Sequence, residues 1–128
     1  MKWLVDTHLL LWAASEPKKL SRSARRLLED EREQLHFSAA SIWEVAIKSG
    51  LGRKDFRADP RQLRHGLIGN GWLELAVTSE HAAAVVDLPA RHKDPFDRIL
   101  VAQAQIDALT LLTADENLAA YGARVKVV

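Results

Sequence analysis

Five acids in this sequence sit in settings that suggest chemistry. Asp6 interrupts an almost unbroken apolar run, MKWLVDTHLLLW. Glu44 lies between Trp43 and Val45 in SAASIWEVAIKSG, Asp94 and Asp97 stand in RHKDPFDRILVAQA, and Asp115 follows an apolar run in LLTADENL. Carboxylates gathered without a cation repel, and some take up protons. A hard cation removes that cost, because Mg²⁺ accepts oxygen ligands, keeps several waters and needs few carboxylates. Such an ion activates water and polarises a phosphoryl oxygen, and a second ion steadies the leaving oxygen. Acid ligands without cysteine suit Mg²⁺ or Mn²⁺ better than zinc.

These acids are far apart in sequence, so the elements between them must bring them together. Lys2–Val5 reads as a short buried strand, Asp6–Thr7 as a helix N-cap and His8 to Ala14 as a first helix broken at Ser15–Glu16–Pro17. SRSARRLLEDER, from Ser21, has a helical apolar stripe of Ala24, Leu27 and Leu28. Leu35–Phe37 is a strand, SAASIWEVAIKSG a helix capped by Gly50, residues 51–60 a loop and Pro60 to Ile68 a helix. Trp72–Val77 is a third strand and Ser79–Asp87 a short helix. Pro95 to Ala108 is a long helix, Leu109–Thr113 an apolar strand, and a short helix near Leu118 precedes a last strand, Val125–Val128. Strands alternating with helices predict a three-layer α/β/α sandwich with a mostly parallel central sheet. Functional groups in such sheets gather beyond the carboxyl ends of the strands. That is where Asp6 and Asp115 fall.

The chain has 128 residues, 48% hydrophobic and 27% charged, with a formal net charge of +1 and no cysteine. This suits one globular domain over 1–128 and excludes disulfide frameworks and thiol catalysis. No apolar run has the length of a membrane span, and no leader with a cleavage site is apparent, so the cytoplasm is the expected compartment.

Each acid also has a structural reading. Asp6 and Asp115 are able to cap helices. Ser41 and Glu44 fit a capping box, and Glu44 stands four before Lys48, a common surface pair. Asp94–Pro95–Phe96–Asp97 is good helix-start chemistry. Caps alone, however, do not require acids after several different strands.

Taken together, LVDTHLLLW, SAASIWEVAIKSGLGR, HKDPFDRILVAQA and LLTADENL resemble the PIN-domain ribonucleases, and among them the VapC-type toxins of bacterial type II toxin–antitoxin pairs. The resemblance runs along essentially the whole chain, in order. It implies that Asp6, Glu44 and Asp97 are the central acids and Asp115 the fourth, more variable one. Together they would bind Mg²⁺ or Mn²⁺ and cleave an RNA phosphodiester with metal-activated water. Asp94 matches an accessory acid, and Thr7 and Ser38 match small polar residues at the cleft edge. A homodimer is implied, as is a cognate VapB-like antitoxin whose C-terminal segment covers the cleft. A basic side chain inserted by such a partner would satisfy carboxylates in place of metal.

His8 and His92 lie near Asp6 and Asp94, where they suit phosphate contact, proton transfer or plain packing. Arg98 is placed for phosphate contact or for a structural pair with an acid. Lys48, Arg53, Lys54, Arg57, Arg61 and Arg64 outnumber Asp55 and Asp59 between residues 48 and 64, a candidate RNA or antitoxin contact or a solvated face. Trp12 and Trp43 sit on apolar helical faces and suit core or dimer contacts. Three other functions compete with a toxin: a housekeeping RNA-processing nuclease, a receiver-like phosphoacceptor and a non-catalytic dimeric binding module. Ala114–Asp115 stands where a receiver needs Lys, and the complete acid set speaks against a binding module.

Overall fold

A computed structural model of the chain describes residues 1–90 and 94–128. Five strands form one sheet in the order β3-β2-β1-β4-β5, and every pairing is parallel. The strands are β1 (Lys2–Val5), β2 (Gln34–Ser38), β3 (Leu73–Leu75), β4 (Thr110–Thr113) and β5 (Val125–Val127). The helices are α1 (Thr7–Ser15), α2 (Arg22–Glu29), α3 (Ala39–Gly50), α4 (Pro60–Gly69), α5 (Ser79–Ala84) and α6 (Pro95–Ile106). The chain builds outward from β1 to β3 on one side, then crosses to β4 on the other side of β1. The carboxyl end of β1 therefore lies at the point where strand order reverses, the usual location for ligands in open α/β sheets.

Both faces of the sheet are covered, which explains the continuous apolar character of its central strands. Side chains alternate across a strand. Trp3, Val5 and Leu112 pack with Leu9, Leu10, Phe37, Val45, Phe56 and Leu63 in one core. Leu4 and Leu111 pack with Leu100, Val101, Ala104, Leu118 and Tyr121 in the other. The predicted three-layer sandwich is the observed architecture, with an entirely parallel sheet.

Several boundaries differ from the sequence expectation, each for a local reason. The helix in SRSARRLLEDER starts after Ser21, whose hydroxyl accepts from Ala24 N at 3.1 Å. It ends at Glu29, because the Asp30 carboxylate takes the Arg32 backbone N–H and guanidinium at 2.9–3.0 Å. The long helix expected to reach Ala108 stops at Ile106, and Ala108 has a φ of 55°, which no helix accommodates. Residues 51–60 are not a featureless loop. Lys54–Phe56 make a short 3₁₀ turn that inserts Phe56, fully buried, into the first core. Ser79–Asp87 divides into α5 and a 3₁₀ turn over Val85–Asp87, and the helix near Leu118 is a 3₁₀ stretch over Glu116–Tyr121.

The two cores meet across β4, which gives a direct test of the layering. Leu111 is completely buried in the sheet. Leu111→Ala is expected to cost about 2–5 kcal/mol of unfolding free energy, the range for large-to-small core substitutions. A urea titration comparing midpoints at an unchanged slope measures it.

Candidate active site

The site is built on Asp6, the first residue beyond β1. Its backbone N–H extends the sheet by donating to Leu112 O at 2.9 Å. Its carboxylate accepts from Thr7 N at 2.7 Å through Oδ1 and from the Thr113 hydroxyl at 2.7 Å through Oδ2. Asp6 thus caps α1 and still sits beneath the surface, only 4% exposed. Thr113 Oγ1 also accepts from Asp115 N at 3.0 Å, so one hydroxyl ties the end of β1 to the turn after β4. Burial pushes the Asp6 carboxyl above its ordinary pKa, against the Thr113 hydrogen bond, the nearby His8 and the Thr7 N–H, and the charge of Glu44 pushes it further up.

Glu44 comes from α3, on the face turned toward the core, and is 2% exposed. Its Oε2 accepts from Lys48 Nζ at 2.5 Å, while Oε1 is buried without a hydrogen-bond partner. A buried carboxylate oxygen without a partner is costly and asks for a ligand. Ser41 does not cap α3 as the capping-box reading had it. Ser38 does, accepting from Ala40 N at 3.0 Å. Ser41 instead accepts from the Thr7 hydroxyl at 2.9 Å, tying α1 to α3. Thr7 and Ser38, expected at the cleft edge, are both buried and hold the backbone around the acids.

Asp94 caps α6 by accepting from Phe96 N at 2.9 Å, with Pro95 in the first helical turn. Its other oxygen lies 3.4 Å from Lys48 Nζ. Asp97, half-buried, stands in that same first turn. Asp115 is half-buried and caps the 3₁₀ stretch after β4 by accepting from Asn117 N at 2.9 Å. The structure therefore couples Asp6 to Glu44 by charge, Glu44 to Asp94 through Lys48, and Asp6 to Asp115 through Thr113. Among the described residues no group of three or more His, Asp or Glu side chains is close enough to hold a metal ion together. The Asp6–Glu44 pair fits a hard cation nonetheless. Both are buried oxygen donors, one oxygen is unpartnered, and Mg²⁺ is commonly held by one or two carboxylates with its own waters completing the shell.

The remaining candidates take structural places. Arg98 donates to the carbonyls of Pro89 and Val85 at 2.8 and 3.1 Å and to the Tyr121 hydroxyl at 3.3 Å. It fastens α6 to the chain preceding it. His8 lies 3.4 Å from Asp55 and edge-on to Phe56, with ring centroids 5.0 Å apart. His92 lies outside the described residues. Of the basic stretch, Lys48 turns inward, Arg53 pairs with Asp55 and Arg64 with Glu74, while Lys54, Arg57 and Arg61 remain exposed. Trp43 is 64% exposed rather than core, in an edge-on contact with Phe96.

The PIN domain family model matches residues 3–124. The chain belongs to the PIN-domain family. Ribonuclease VapC22 of Mycobacterium tuberculosis is 27% identical over 127 residues, covering 92% of this chain and 90% of the relative. VapBC2 from Rickettsia felis, solved bound to a promoter DNA fragment, superposes with a TM-score of 0.69 at 14% identity, covering 100% of this chain and 98% of that one. A toxin–antitoxin complex from Klebsiella pneumoniae gives 0.66 at 22% identity, covering 97% and 95%. These structural likenesses establish a shared PIN fold. PIN nucleases as a class depend on divalent metal, in keeping with the acid pair at the end of β1.

Because Asp6 ionises only against burial and against Glu44, its charge destabilises the metal-free fold. An acid whose folded pKa is raised contributes stability below its unfolded pKa and loses it as pH rises through the folded value. Asp6→Asn, which keeps a capping oxygen, is therefore expected to raise the metal-free melting midpoint at neutral pH. The gain should shrink toward zero as pH falls through the raised Asp6 pKa. Thermal melts in EDTA across the pH range check both the sign and the trend.

Proposed function

We propose that this protein is a Mg²⁺- or Mn²⁺-dependent endoribonuclease, the toxin of a type II toxin–antitoxin pair, acting as one PIN domain over 1–128 in the cytoplasm. The observation that carries the metal-dependent reading is the buried Asp6–Glu44 pair with an unpartnered Glu44 oxygen beyond β1. The VapC22 relative supports the ribonuclease assignment. No helix among the described residues is long and apolar enough to cross a membrane.

When bound, a divalent ion would supply a water acidic enough to yield a hydroxide nucleophile near neutral pH and a positive charge for the phosphoryl oxygen. The chain does the positioning. Asp6 presents a carboxylate whose rotamer is locked by Thr7 and Thr113, and Glu44 presents its free oxygen from α3. In this reading Asp97, from the first turn of α6, and Asp115, from the turn after β4, flank the pair and would reach the ion through its waters. Asp94 supports the site by capping the helix that carries Asp97. The exposed cations Lys54, Arg57 and Arg61 offer backbone contacts to an RNA.

Two surfaces support the partner expectations. An open groove of about 1080 Å³ lies between α1, α2 and α4, floored by Leu20, Leu28, Leu63, Leu67 and Trp72. Its apolar floor suits an antitoxin segment. On α3, Trp43 and Ile47, with Leu51 at the helix end, are exposed in one strip, which suits a second copy of the chain.

Purified chain, freed of partner, is expected to cut structured RNA with Mg²⁺ or Mn²⁺ and to stop in EDTA. Asp6→Asn, Glu44→Gln and Asp97→Asn are each expected to lower the rate about 10²-fold or more, as loss of a charge-organising group does. Gel-resolved cleavage alongside circular dichroism separates lost chemistry from lost fold. Undiminished cutting in EDTA by all three variants would sink the metal reading.

A further inference from the structure

The sequence treats Lys48 as one member of a surface basic run, whereas the structure gives it an interior position. Its side chain is 15% exposed, and its ammonium lies 2.5 Å from Glu44 Oε2 and 3.4 Å from Asp94 Oδ2. Two phenyl rings flank the same nitrogen, with the Phe56 centroid at 4.7 Å and the Phe96 centroid at 5.4 Å. Phe56 is fully buried, so its ring is a fixed wall. The ammonium thus has two kinds of partner, carboxylates and aromatic faces, and the latter hold a cation without taking a carboxylate.

We propose that Lys48 is the resident cation of the acid site, neutralising Glu44 in the metal-free protein and competing there with the divalent ion. The proposal rests on the reading of Asp6 and Glu44 as metal ligands. When an ion takes Glu44, the ammonium withdraws toward the Phe56 and Phe96 faces and Asp94, which remain in reach from the same lysine stem. The rings make this exchange inexpensive, since Lys48 never has to be stranded in an apolar interior. This differs from a supporting hydrogen bond. A group that only orients a metal ligand raises metal affinity, and its loss weakens binding. A competing cation lowers metal affinity, and its loss tightens binding by relief of like-charge repulsion.

The test is Mn²⁺ binding to the metal-stripped full chain, followed by calorimetry or by the electron paramagnetic resonance of free Mn²⁺. Wild type is expected to bind more tightly than Asp6→Asn. Lys48→Met is expected to bind Mn²⁺ about tenfold more tightly than wild type, a modest share of the Coulomb energy of such close charges. Lys48→Arg, which keeps the charge, should bind no tighter than wild type. Equal or weaker binding by Lys48→Met, with wild type still above Asp6→Asn, overturns this proposal alone. Equal binding by wild type and Asp6→Asn overturns the metal reading, and this proposal with it.

A measurement on the wild-type protein covers the case in which Lys48→Met does not fold. The lysine side-chain ¹⁵N signal lost in Lys48→Arg identifies Lys48. Adding Mg²⁺ should shift that signal and speed its proton exchange as the Glu44 contact is given up. A Lys48 signal unmoved at saturating Mg²⁺ also overturns the proposal.

Discussion

The structure turns on one constraint, the burial of like charges at the carboxyl end of a parallel sheet. Asp6 and Glu44 are both almost fully covered, and burial together with the charge of Glu44 raises the cost of ionising Asp6. The surroundings are built to bear that cost. Thr7 and Thr113 donate to Asp6, Lys48 donates to Glu44, and the Thr7–Ser41 hydroxyl contact ties the two helices that carry the acids. Buried acid clusters of this kind cost stability, as strained functional groups commonly do.

The elements around the site serve two purposes at once. Asp6 is a helix cap and a buried acid, Asp94 a helix cap and a partner of Lys48, Asp115 a cap and a neighbour of Thr113. A cap must point its carboxylate at backbone N–H groups, and that fixes its rotamer. Fixed rotamers are what a ligand site needs. The capping role of these acids therefore also fixes where their carboxylates point.

Much of this was legible along the chain. The strand preceding Asp6, the Asp94–Pro95 helix start and the alternation of elements follow from local pattern and capping chemistry. What stayed hidden depends on segments distant in sequence. Phe56 lies among charged residues in a short 3₁₀ turn that has no periodicity to betray a core residue. Lys48 has the spacing of a surface ion pair with Glu44 and becomes interior only when α6 and the Phe56 turn close over it. Ser41 matches a capping box by spacing, yet the helix begins earlier, at Ser38, and frees Ser41 for Thr7. Trp43 shares a helix with buried residues, and helical periodicity alone could not say that its side faces outward.

The hydrogen bond from Thr113 to Asp6 spans 107 positions of sequence. β1 has β2 on one side and on the other β4, which begins at Thr110. A ribosome must therefore deliver everything from β1 through β4 before the central strand has both neighbours and the acid cluster can close. A chain released early lacks β4 and with it the hydroxyl that orients Asp6. The acid cluster thus assembles only after β4 has been made, and the order of the strands acts as a delay on the cluster they carry.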